Sequence, residues 1–185
     1  KGWFDQVSVL MDAVHKGLIV HSTSSGDQQG EIVIDALIKT KWNQYNPFNL
    51  LCPMDNGQQC VTGCTATAMA QVLNYWQWPV HGYGTASYHA KKIDQDLSLD
   101  LTKSYYDWDN MLDVYEVWNA GYSDNQAKAV ATLMRDCGYA ASMDYSADAS
   151  GAFVSGETFI KHFKYSPLSK YKYRDQYTEY EWHQM

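Results

Sequence analysis

Val61-Thr62-Gly63-Cys64-Thr65-Ala66-Thr67-Ala68-Met69-Ala70-Gln71 is the stretch from which the fold is read. A glycine turn precedes the thiol, and a run of small, helix-tolerant residues follows it until Pro79. That pattern predicts a helix from about Gly63 to Trp78, with Thr62 as N-cap and Met69, Leu73 and Trp76 along a packed stripe. The first turn of a helix carries unpaired N–H groups and the positive end of the macrodipole, which favour a thiolate over a thiol. The same N–H groups can hydrogen-bond an oxyanion forming on a carbonyl that the sulfur attacks. Cys64 is therefore the candidate nucleophile. The competing reading of a lone cysteine, a small buried hydrophobe, fits Cys137 on the inner face of a later helix.

Outward from Cys64, the chain of 185 residues is globular in composition, with 45% hydrophobic and 19% charged residues. A formal charge of −7, with no basic run, argues against nucleic acid or an anionic membrane surface as partner. Fifteen Tyr and seven Trp suggest large aromatic surfaces. Cys52 and Cys60 are the only close cysteine pair apart from the candidate nucleophile, and spacing alone leaves open whether they form a bridge. The steps from Cys52 to Cys60 to Cys64 fit no usual zinc-ligand spacing, so no metal is expected.

Residues 3–16 place Trp3, Val7, Leu10 and Val14 on one face before Gly17, which predicts an amphipathic helix. Leu18-Ile19-Val20 reads as a short strand, and the polar stretch 21–30 reads as a linker. A boundary is placed near residue 30. Residues 41–60 read as loop, with Asn46-Pro47 and Asn56-Gly57 as turns; residues 80–122 are aromatic and turn-rich with no clean period. Ser123 with Gln126 forms a capping box that opens a second helix, and Gly138 is expected to end it. A small-residue loop over 146–156 leads to a third helix near Glu157–Phe163, and 171–185 is alternating and tyrosine-rich.

Several segments together resemble the streptopain-like cysteine peptidases. Trp42-Asn43-Gln44-Tyr45-Asn46-Pro47-Phe48-Asn49-Leu50-Leu51-Cys52-Pro53 is similar to the opening of their mature domain, and Val61–Gln71 to their nucleophile segment. Asn74-Tyr75, Trp78-Pro79, Tyr106–Met111, Leu133–Gly138 and Met143-Asp144-Tyr145 follow in the family's order, so that the resemblance covers about residues 35–165. It implies an α+β, papain-like fold, incomplete in this chain, with the helical half present and much of the β half missing. It also implies secretion from a bacterium as a zymogen, no cofactor, and endopeptidase activity on protein or peptide substrates through a Cys-His mechanism and an acyl-enzyme thioester. The family prefers a hydrophobic residue two positions before the cut. Cys64 corresponds to the nucleophile and Gln44 to the glutamine that donates to the oxyanion. Gly63, Ala147, Ser150, Gly151 and Ala152 correspond to the wall of the substrate cleft.

The family's catalytic histidine lies in a Gly-Gly-His stretch, followed by an Asn-Trp-Gly-Trp segment. This chain contains neither. Its histidines are His15, His21, His81, His89, His162 and His183, and the last two, in polar-aromatic surroundings, are expected to be surface residues. The reading is therefore residues 31–185 as the amino-terminal part of a catalytic domain, whose partner is the carboxy-terminal half, and residues 1–30 as a propeptide remnant or activation linker. The alternative is a non-catalytic peptide- or glycan-binding remnant of a peptidase fold. A reading frame that continues into a Gly-Gly-His segment separates the two.

Overall fold

The computed structural model describes residues 37–116, 121–169 and 172–184. The helix, strand and linker expected over 3–30 lie outside the described residues, as does the boundary near residue 30. The described residues up to Ser169 form one compact unit, and 172–184 belong to another.

The first unit is a mixed α/β assembly, with two helices packed face to face and two small antiparallel hairpins. The first hairpin pairs β1 (Met54–Asp55) with β2 (Gln58–Gln59), and the expected Asn56-Gly57 turn closes it with both residues at positive φ. Helix α1 runs Cys64–Trp76, then the hairpin of β3 (Thr85–Ala90) and β4 (Gln95–Asp100), helix α2 (Asp124–Ala140) and helix α3 (Gly156–Phe163). Short 3-10 turns at Leu101–Lys103 and Trp108–Asn110 link β4 towards α2.

The core lies between α1 and α2. Ala66, Met69, Ala70 and Leu73 of α1 share one cluster with Val130, Leu133, Met134 and Cys137 of α2. These positions recur every three or four residues, so a single stripe on each helix is removed from water. Trp76 and Trp78 at the end of α1 are half-buried.

The β3–β4 hairpin was not expected. Its inward positions, Ala86 and Ala90 on β3 and Leu97 on β4, alternate with polar Ser87, His89 and Ser98. Small residues at two inward positions leave little hydrophobic signal of period two.

Helix α2 opens on the expected capping box: the Gln126 N–H donates to Ser123 Oγ, and the Ser123 N–H donates to Gln126 Oε1. It does not end at Gly138. The Met143 N–H donates to the Gly138 carbonyl and the Ser142 N–H to the Tyr139 carbonyl, with Ser142 in the left-handed conformation at φ 53°. This is a Schellman ending in which serine takes the place usually held by glycine. Gly138 has a packing role instead. A methyl added there would fall well inside contact distance of the Tyr145 hydroxyl and 3.0 Å from the ring carbon bearing it.

In the second unit, 172–184 holds a 3-10 turn at Arg174–Gln176 and helix α4 (Glu179–His183), within the stretch read from the sequence only as alternating and tyrosine-rich. Thr178 and Glu181 form a capping box there.

Candidate active site

Cys64 is the first residue of α1 and is exposed to solvent. The residue before it explains how. Gly63 holds φ +84° and ψ 139°, a region that L side chains rarely adopt. A Cβ on Gly63 would also lie 2.6 Å from Met143 Sδ and 3.2 Å from the Ser150 carbonyl oxygen. The chain turns sharply here, close against the 143–150 segment, and delivers the next side chain to the surface.

Thr62 is not the N-cap. It is fully buried, and its hydroxyl lies 3.0 Å from that of Thr67. The Thr67 hydroxyl donates to the Gly63 carbonyl at 3.2 Å, so the Thr62 hydroxyl donates to Thr67 and is not available to the helix end. Gly63 is the N-cap and has no side chain to contribute, and the first turn holds no acidic residue. The first N–H groups of α1 therefore remain uncapped by any side chain, beside the sulfur.

The Thr62 N–H donates to the Gln44 carbonyl at 3.1 Å, which runs the 42–49 loop alongside the nucleophile turn. That loop is anchored by buried Trp42, whose indole N–H donates to the Leu112 carbonyl at 2.8 Å, and by buried Phe48. The Asn43 side-chain oxygen accepts from the Tyr45 N–H at 2.8 Å and shapes the turn around Gln44. Gln44 itself is half-exposed, and its side-chain amide has no partner among the described residues.

The 144–152 loop forms the other side. The Ser150 hydroxyl donates to the Val61 carbonyl at 2.7 Å and accepts from the Ser146 N–H at 3.0 Å, while the Val61 N–H donates to the Ser146 carbonyl. Asp144 and Gly151 pair as an isolated antiparallel bridge, and the Thr65 hydroxyl donates to the Ala152 carbonyl at 2.8 Å. Ser150 is buried and its hydroxyl committed, so its contribution to a cleft is to position the wall. Gly151 is exposed with open space around its Cα, and Ala147 and Ala152 are half-exposed. Phe153, which the sequence did not single out, follows directly and is fully exposed.

The other cysteines contrast with Cys64. Cys52, Cys60 and Cys137 are buried free thiols. Burial, reinforced by the other's sulfur, pushes Cys52 up to about 12; burial and the Asp55 carboxylate push Cys60 up to about 11. Burial raises Cys137 well above the ordinary thiol range. Among the described residues, no group of three or more His, Cys, Asp or Glu could hold a metal ion.

His162 is not a surface residue. It is 4% exposed on α3, with Nδ1 2.9 Å from the Tyr83 carbonyl, and the Tyr83 N–H donates back to the His162 carbonyl at 2.9 Å. Burial lowers its pKa, and the flanking Lys161 and Lys164 cations add to the shift. His81 bonds the Gly82 carbonyl, and His89 sits between Asp94 and Asp96. None of these three is bonded to Cys64; His15, His21 and the His183 side chain lie outside the described residues.

Residues 42–185 match the Peptidase C10 family. The chain is 31% identical to the thiol protease/hemagglutinin PrtT of Porphyromonas gingivalis over 85% of its own length and 18% of that protein. It is 28% identical to streptopain of Streptococcus pyogenes over 81% of its length and 42% of streptopain's. Two solved structures from Prevotella intermedia share its fold. Active interpain A superposes with a TM-score of 0.70 at 36% identity, over 79% of this chain and 61% of the other. A prointerpain A fragment carrying a cysteine-to-alanine mutation does so with a TM-score of 0.72 at 32% identity, over 95% and 57%. The chain thus spans less than half the length of the curated relatives named here, and it belongs to the Peptidase C10 family of cysteine peptidases.

Proposed function

We propose that this chain is the amino-terminal part of the catalytic domain of a secreted bacterial cysteine endopeptidase with a papain-like fold, made as a zymogen. The Cys64 thiolate attacks the scissile carbonyl, and the C–N bond breaks to leave a thioester on the sulfur. A histidine on polypeptide beyond this chain takes the thiol proton and passes it to the leaving amine; water then hydrolyses the thioester. Gln44 donates its amide N–H to the oxyanion, alongside the uncapped N–H groups of α1. Ala147, Gly151 and Ala152 line the substrate cleft, and buried Gly63 and Ser150 hold that wall in place. Residues 1–30 are the propeptide remnant or activation linker.

The observation that carries this reading is the exposure of Cys64 at the head of an uncapped helix, while the other three thiols are buried. A second observation supports the missing half. Ala68, one turn after Cys64, is also exposed, so this face of α1 is uncovered within the first unit. The carboxy-terminal half of the domain, bearing the histidine, covers it.

Proteolysis of an unfolded protein substrate tests the reading. The parent protein is expected to cleave it, and Cys64→Ala to lose at least ~1,000-fold in kcat/KM. The isolated 185-residue chain is expected to give no turnover. Cleavage by the pure isolated chain would overturn the placement of the histidine, and full activity of the Cys64→Ala parent would overturn the nucleophile.

A further inference from the structure

A cleft of about 490 Å³ lies between α2 and the segment 103–107, and the proposed peptidase chemistry makes no use of it. The segment builds one wall by alternation. Ser104 and Tyr106 turn inward and are buried, so Lys103, Tyr105 and Asp107 turn outward into the cleft. Asn125, Lys128 and Arg135, spaced by three and seven along α2, form the opposite wall.

The cations here are unusual for an acidic chain, and one is held rigidly. Arg135 donates from Nε and Nη2 to Oδ1 of fully buried Asp136 at 2.9 and 2.7 Å, and from Nη2 to Ser104 Oγ at 3.1 Å. The Tyr106 hydroxyl donates to the other Asp136 oxygen at 3.0 Å. Nη1 of Arg135 and the ammonium of Lys128 have no acceptor among the described residues. Lys103 lies 3.6 Å from Asp100, with both exposed. Asp107 accepts from the Asn110 amide with one oxygen at 2.8 Å, leaving the other available. Tyr105 is 67% exposed.

We propose that this cleft binds a carboxylate-bearing saccharide of the uronic-acid class. The sugar carboxylate lies between Lys128 and Arg135, ring hydroxyls donate to Asp107, and the flat C–H face of the ring packs on Tyr105. A single hexuronate unit supplies the anion, the donors and the face together. Sulfate brings the charge but no donor for Asp107, and inorganic phosphate brings an O–H donor but no apolar face for Tyr105. An acidic peptide brings the charge but no rigid apolar face for the exposed tyrosine. The volume falls within the roughly 300–1,000 Å³ typical of small-ligand sites.

Calorimetric titration of the whole chain with trigalacturonate at low salt tests this. Saturable binding is expected with Kd below about 1 mM. Lys128→Ala and Tyr105→Ala, both at surface positions, are each expected to weaken it about 5- to 10-fold while leaving alkylation of Cys64 unchanged. Asp107→Asn is expected to let sulfate compete where it does not in the parent chain. Three results would each overturn the proposal: no saturation by roughly 10 mM trigalacturonate, equal binding of galactotriose or pentaglutamate, or wild-type affinity in both Ala variants.

Discussion

Replacing Gly63 by Ala tests the local geometry that brings Cys64 to the surface. Two separate costs arise. The backbone stands at φ +84° and ψ 139°, and holding an alanine there costs on the order of 1–3 kcal/mol. The new methyl would also meet Met143 Sδ at 2.6 Å, Met143 Cε at 2.7 Å and the Ser150 carbonyl oxygen at 3.2 Å. Met143 is fully buried, so its side chain has little room to swing away, and overpacking of this kind costs about 1–3 kcal/mol. Some relaxation of the thioether is expected, so the total is about 3 kcal/mol. Urea unfolding followed by tryptophan fluorescence reads this as a lower midpoint at unchanged slope. Because Ser150 carries the wall through its bond to the Val61 carbonyl, the displacement is also expected to slow alkylation of Cys64. A Gly63→Ala chain that unfolds at the wild-type midpoint would refute the reasoning, since neither the torsion nor the contact could then be as described.

Gly138→Ala is expected to destabilise by about 1–2 kcal/mol, overpacking against Tyr145 outweighing the ~1 kcal/mol that alanine gains in a helix. Tyr145→Phe should recover most of the loss, because the buried hydroxyl lacks a conventional hydrogen-bond partner and the Cys52 thiol beside it is a weak one; a double-mutant cycle in urea without coupling would contradict this. His162 makes stability depend on pH. Its folded pKa lies below the unfolded value near 6.5, so the unfolded chain binds more protons and stability falls as pH drops through about 6.5. Buried Asp136 acts with the opposite sign: its raised carboxyl pKa favours the fold in acid, so it cannot cause that fall. His162→Gln should flatten the melting-temperature profile between pH 7 and pH 5, and an unchanged profile would count against the buried, neutral imidazole.

The parts of the fold legible in the sequence were those fixed by local chemistry. The Ser123–Gln126 box, the Asn56-Gly57 turn and the periodic stripes of α1 and α2 each follow from neighbours within about one or two helical turns. What was misread depended on distant partners. Thr62 looks like an N-cap until Thr67 claims its hydroxyl. Gly138 looks like a helix stop until Tyr145, seven residues on, proves to need the space. His162 sits between charged Lys161 and Lys164 in sequence and reads as surface, but the Tyr83 backbone, far away in the chain, buries it. The same holds at the candidate site. Gly63 and Cys64 could be singled out from the sequence itself. The wall formed by 144–152 needed the resemblance to be noticed at all, because its anchors to Val61 and Thr65 cross more than eighty residues.

The central claim is that Cys64 alone among four thiols is presented for chemistry. Alkylation of the native chain with iodoacetamide at pH 7.5, about neutral, followed by peptide mass spectrometry, tests it most directly. Moving a thiol from 9.0 to about 11 or about 12 makes its thiolate about 100- or 1,000-fold scarcer, before any hindrance by burial, for Cys60 and Cys52 respectively. The expected result is modification of Cys64 essentially to completion while Cys52, Cys60 and Cys137 stay unmodified until the chain is unfolded. Early labelling of any of those three, or a Cys64 that resists the reagent in the folded chain, would contradict the account.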